Sequence, residues 1–118
     1  MPSYVGFLRN PVQAYTGLSP DEAQRTLDEY LAWNAEREQA GTPVGGGGLS
    51  RSGRVLRLAG GEPASTDGPH TESNEIVGGY LVLEAADLDE AEKIFGSHPH
   101  LAIGSIEVRA IGEQGCTD

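Results

Sequence analysis

Cysteine is nearly missing from this chain. Cys116, near the end, is the only one among 118 residues. No internal disulfide can form, and such usage suits a reducing compartment. Nothing near Cys116 in the sequence would lower its thiol pKa, which argues against a nucleophile. Basic residues are also scarce: 8 Lys and Arg against 18 Asp and Glu, a formal net charge of -10. They form no cluster, so the phosphate neutralisation that nucleic-acid binding needs is not available. The same scarcity argues against an anionic membrane surface, and the acidity itself reads as solubility. No apolar run approaches membrane-spanning length. Met1-Pro2-Ser3-Tyr4 lacks the basic and apolar regions of a signal peptide. The expectation is a cytoplasmic protein with no nucleic-acid and no membrane partner. At this length it is one domain with a two-layer core, too small for a separate cofactor domain, and no cofactor is expected.

The patterning that is present divides the chain into short elements. Tyr4 to Leu8 is an aromatic and aliphatic run that predicts a first strand, ended by Asn10-Pro11. Ser19-Pro20-Asp21-Glu22 is a helix start: Ser19 caps, Pro20 takes the first helical position and Glu22 completes a capping box. The helix should run to about Gln39 and stop at Gly41. Ala23, Leu27, Tyr30 and Leu31 share one stripe, which Asn34 continues, with Trp33 beside it. A second capped helix follows Asp87, with Leu88, Ala91, Ile94 and Phe95 as its buried stripe and Gly96 as its stop. Between the helices, Arg54 to Ala59 and Val77 to Ala85 read as strands, and Gly60-Gly61 as a tight turn. Ser97 to Leu101 is a loop. Ile103 to Ile111 is the last strand, with Ile106, Val108 and Ala110 on one face and Glu107 and Arg109 on the other. Residues 113–118 form a polar tail expected to fray, so the domain spans 1–112.

Gly45 to Gly48 form a run of four glycines. A phosphate loop would need Lys-Ser/Thr after it, but Leu49-Ser50-Arg51 follows. A glycine strand packed close to something bulky fits better. The element order places two helices on one face of an antiparallel sheet. That is an α+β, ferredoxin-like architecture with an elaborated middle.

Chemistry-bearing residues gather around Thr66 to Glu84. Asp67, His70 and Glu72 precede Gly78-Gly79 and an apolar strand, and His98 and His100 lie in the late loop. A loop histidine with a carboxylate partner can move protons near neutral pH; equally, all three histidines can be solvated. His98-x-His100 with His70 could offer three metal ligands, but no Cys pair or HExxH helix accompanies them, and no metal site is expected. Asp67 before Gly68-Pro69 is a turn builder as well as a candidate base. Tyr30, Trp33 and Asn34 either line a cleft for a flat organic ligand or pack in the core around one satisfied amide. Arg109 either pairs with Glu107, within the chain or across a dimer, or binds a ligand carboxylate through its planar fork.

Several blocks together resemble the DGPF branch of the YCII-related proteins. These are Thr66-Asp-Gly-Pro-His with Glu72, Val77-Gly-Gly-Tyr-Leu-Val-Leu-Glu84, Ala86-Asp-Leu-Asp-Glu-Ala91, His98-Pro-His-Leu101 and Ile106-Glu-Val-Arg109. The resemblance implies a ferredoxin-like fold of the dimeric α/β-barrel type, a homodimer whose sheets pack together, and an active-site cleft between helix and sheet. In some members that cleft carries a His–Asp pair. Here Tyr30 stands at the register of that His and His98 at that of the Asp, while His70 replaces the Phe of the DGPF motif. The expected catalytic set is Asp67, His70 and His98, with Tyr30, Trp33, Asn34 and Arg109 binding substrate. Three functions are left open: an acid–base enzyme on a small substrate, a ligand-binding or regulatory dimer without turnover, and a structural association domain.

Overall fold

Strand β1 (Ser3–Pro11) sits in the interior of the sheet, and its alternation shows why. Tyr4, Gly6, Leu8 and Asn10 are buried on the face that the helices cover. Val5, Phe7 and Arg9 are half-buried on the other. The computed structural model describes residues 1–68 and 75–118. After β1 come helix α1 (Pro20–Gln39), strand β2 (Gly45–Gly48), a hairpin of β3 (Gly53–Ala59) and β4 (Glu62–Gly68), strand β5 (Glu75–Glu84), helix α2 (Leu88–Phe95) and strand β6 (Ser105–Ala110). The main sheet has the order β2-β5-β1-β6 with antiparallel neighbours. Each βαβ crossover is split by an intervening strand, the ferredoxin-like arrangement.

Both helix starts form as their sequences dictate. Ser19 Oγ accepts the Glu22 backbone N–H, and Asp87 Oδ1 accepts that of Glu90. The core between sheet and helices is built from Tyr4, Leu8, Trp33, Leu81, Leu83, Ala85, Ala91 and Phe95. Burying side chains as completely as Leu83 and Phe95 contributes about 1.5–3 kcal/mol each.

Several local expectations are corrected. In α1 the buried residue is Trp33, not the Leu27–Leu31 stripe; those leucines are 51% and 54% exposed. The reason is rotational: α1 turns the indole toward Phe95, whose ring stacks with it at a centroid distance of 6.4 Å. In α2, Leu88 is exposed while Ala91 and Phe95 are buried. The glycine strand β2 lies exposed along the sheet edge rather than under a bulky neighbour. Thr66 to Gly68 are strand, not turn, because β4 pairs with β3 as far as Gly53–Gly68. Ser97 to Leu101 runs into a 3-10 turn over Pro99–Ala102. The tail closes a second such turn over Gly115–Thr117.

The β3–β4 hairpin forms a two-stranded sheet of its own, leaving Leu56 and Leu58 exposed. The face of the main sheet opposite the helices carries Val5, Phe7, Tyr80 and Val82, in register across β1 and β5. Among the described residues, no helix is long and apolar enough to cross a membrane.

Candidate functional site

A cavity of about 260 Å³ lies between α1 and the sheet. Its floor is Leu8, Asn10, Gly78 and Leu81; α1 supplies Leu27, Tyr30, Leu31 and Asn34. Gly46 to Gly48 form a wall of bare backbone, and His98 and His100 close the inner end. Among the described residues, none that lines it is a lysine, arginine or carboxylate.

The 3-10 turn fixes the histidines. His98 is its N-cap, and its Nδ1 accepts the His100 backbone N–H at 2.9 Å. An accepting Nδ1 carries no proton, so neutral His98 holds its proton on Nε2. That nitrogen has no partner among the described residues. The ring is 3% exposed and packs edge-on against Trp33 at 4.6 Å and Tyr30 at 4.9 Å. Burial, together with the nearby His100 charge, lowers its pKa to about 4. His98 is therefore neutral near pH 7 and offers the cleft a hydrogen-bond donor.

His100 is 1% exposed, and both its ring nitrogens are engaged. Nε2 lies 2.8 Å from the Arg9 carbonyl oxygen, which can only accept, so Nε2 donates. In neutral His100, Nδ1 then accepts the Tyr30 hydroxyl proton at 2.7 Å. The Tyr30 oxygen in turn accepts from Tyr15 at 3.2 Å. Burial raises the Tyr30 pKa well above its ordinary value. Tyr30 therefore stays protonated. Gly104 makes the His100–Arg9 approach feasible: a Cβ there would collide with the Arg9 carbonyl oxygen and stand 2.8 Å from His100 Nε2.

Tyr30, Asn34 and His98 thus come together at the cleft. Trp33 lies behind His98 instead of lining the cavity, its Nε1–H donating to Ser97 Oγ at 2.9 Å. Arg109 lies elsewhere. It pairs in register with Val5 on the face opposite the helices, and Glu107 bonds Arg9 at 2.9 Å rather than Arg109. Asp67 is exposed in β4 opposite Arg54 and is not part of the cavity wall, because the hairpin pairs with itself. His70 and Glu72 lie outside the described residues. His98 and His100, fixed by the 3-10 turn, are buried, not solvated. Among the described residues, no three His, Cys, Asp or Glu side chains are grouped to hold a metal ion.

Two participants escape the sequence reading: Tyr15, which it does not single out, and Asn10, which it reads only as a strand terminator. Asn10 had a usable signal. It continues the even-numbered Tyr4-Gly6-Leu8 series that faces the helices.

A family model for the YCII-related domain matches residues 7–114. The fold and the helix–sheet cleft define a small α+β domain, and the chain belongs to the YCII-related family. No curated protein gives a significant sequence match.

Proposed function

We propose that this protein is a small-molecule-binding module whose cleft recognises a compact, uncharged, polar ligand. One observation carries the reading: burial keeps the His98 imidazole neutral and the Tyr30 hydroxyl protonated near pH 7, and among the described residues no carboxylate lines the cleft. General acid–base work near pH 7 favours a group that titrates there. His98, at about 4, is a weak base, and Tyr30 is held protonated. A volume of about 260 Å³ is below the ~300–1,000 Å³ of drug-sized sites and suits a single-ring molecule.

Acid–base catalysis is the second reading. The chain Tyr15–Tyr30–His100–Arg9 carbonyl supports it, because it joins a cleft hydroxyl to a buried imidazole through a short, 2.7 Å hydrogen bond. In that reading His98 orients a substrate and Tyr30 passes a proton to His100. A loop histidine assisted by Asp67 is less well supported, since Asp67 does not line the cavity. We further propose a homodimer, joined through the helix-free sheet face around Phe7 and Tyr80. The Asp67-Gly68-Pro69 block supports placing the chain in the DGPF branch, and the lone Cys116 supports a cytoplasmic setting.

A library of uncharged one-ring compounds, screened by backbone amide shifts at millimolar concentration, tests the binding reading. Saturable shifts at Asn34, Gly47, Gly78 and His98, with the compound recovered unchanged, are expected. A library that leaves the cleft residues unmoved would refute binding. Conversion of a bound compound would replace it with the catalytic reading.

A further inference from the structure

Asn10 is 1% exposed at the cleft end of β1. Its amide is engaged on one side only. Nδ2 donates to the Pro11 carbonyl oxygen at 2.9 Å. A carbonyl only accepts, so this bond also settles which end of the amide is nitrogen. Oδ1 is fully buried and accepts no hydrogen bond from the described residues. A buried carbonyl oxygen without a donor carries its full desolvation penalty, and native structures rarely keep one without reason.

The sequence makes room for this oxygen. Gly78 is the extra residue where the β1–β5 register shifts between Leu8 and Arg9. A Cβ at that position would stand 2.6 Å from Asn10 Oδ1. Asn10 and Gly78 both line the cavity. From the helix side, Asn34 Oδ1 is likewise buried without a donor and lines the same cavity. Two acceptor oxygens disfavour an anion. The described wall holds no carboxylate and its His98 is kept neutral, which disfavours a cation.

We propose that Asn10 is the specificity-determining residue of the cleft: its Oδ1 accepts an N–H or O–H from an uncharged ligand, and ligands lacking that donor are rejected. This rests on the ligand-binding reading above. A ligand carbonyl can at the same time accept from His98 Nε2–H, so a cyclic amide carries both complementary groups on one edge. The selectivity follows from burial. A ligand whose N–H is capped leaves Oδ1 as unpaired as before and displaces any water that could reach it.

The test compares three probes of nearly equal size: δ-valerolactam, its N-methyl derivative and δ-valerolactone. Binding is followed by amide shifts and by the Asn10 side-chain NH₂ resonance. The lactam is expected to bind at least about tenfold more tightly than the other two. Asn10→Leu is expected to abolish that ratio while the cleft still binds. Even if Asn10→Leu does not fold, the unaltered protein decides the matter: a lactam-specific shift of the Asn10 NH₂ supports its role, and one confined to Asn34 overturns it. Equal binding of all three at the cleft would overturn the role of Asn10 and leave the binding reading intact. A cleft that none of them perturbs would overturn both.

Discussion

Tyr30→Phe removes one oxygen atom and tests the hydrogen-bond chain at the inner end of the cleft. In the native protein that oxygen donates to His100 Nδ1 at 2.7 Å and accepts from Tyr15 at 3.2 Å. The substitution keeps the ring, so its edge-on packing with His98 survives. What is lost is the donor to a nitrogen on a residue only 1% exposed. Leaving a buried acceptor unpaired costs about 1–3 kcal/mol, so the expected loss is about 2 kcal/mol. For a chain of this length that lowers Tm by about 8 °C. Tyr15→Phe is the control: it removes only the longer, partly exposed bond and should stay within about 0.5 kcal/mol of the native protein. Urea unfolding gives the energies, and ¹⁵N shifts of the His100 ring report the tautomer. In the native protein these should place the proton on Nε2. A Tyr30→Phe protein as stable as the native one, or a native His100 carrying its proton on Nδ1, would refute the chain.

Three further outcomes are expected. His98 has a folded pKa of about 4 against an ordinary 6.5, so as pH falls the unfolded chain takes up its proton first. Its contribution to stability therefore declines from about pH 6.5 down to about pH 4 and is level below, by at most about 3 kcal/mol; His98→Asn, which keeps an N-cap, should flatten that part of the urea-midpoint profile. Gly104→Ala should destabilise by about 2 kcal/mol or more, because the added methyl collides with the Arg9 carbonyl oxygen and displaces His100, and loss of the His100 Nε2–H resonance would report it. Asp67→Asn should leave both stability and probe binding within error, since Asp67 is exposed and outside the cavity wall; a large loss of binding would restore it to the site.

The sequence carried the fold well because its signals were local. Capping residues at Ser19 and Asp87, the glycine turn at 60–61 and period-two alternation in β1 and β6 each act within a few residues. Helix rotation was harder. Leu27 and Leu31 share a face and Trp33 lies beside that stripe, and only packing against Phe95 decides that the indole goes inside. The site was half legible for the same reason. Tyr30, Asn34 and His98 were marked by polarity on or near an apolar pattern. Long-range facts place Asp67 and Arg109 outside the cavity lining: a hairpin that pairs with itself and a strand register that turns Arg109 away from the helices. Asn10 gained its meaning only once the bulge at Gly78 set the two residues side by side.

The glycine wall of the cleft limits how this protein can diversify. At Gly46 the backbone lies in the left-handed region (φ 98°), and a side chain would run into the Tyr80 carbonyl oxygen. That position of the wall is thus closed to gradual change, whereas a Cβ at Gly47 would meet nothing within 4 Å. A lineage seeking a new ligand has Gly47 and the opposite bank, at Leu27, Tyr30, Leu31 and Asn34 on α1, to vary. Among relatives with different ligands, substitutions should therefore fall at those positions while Gly46 stays constant.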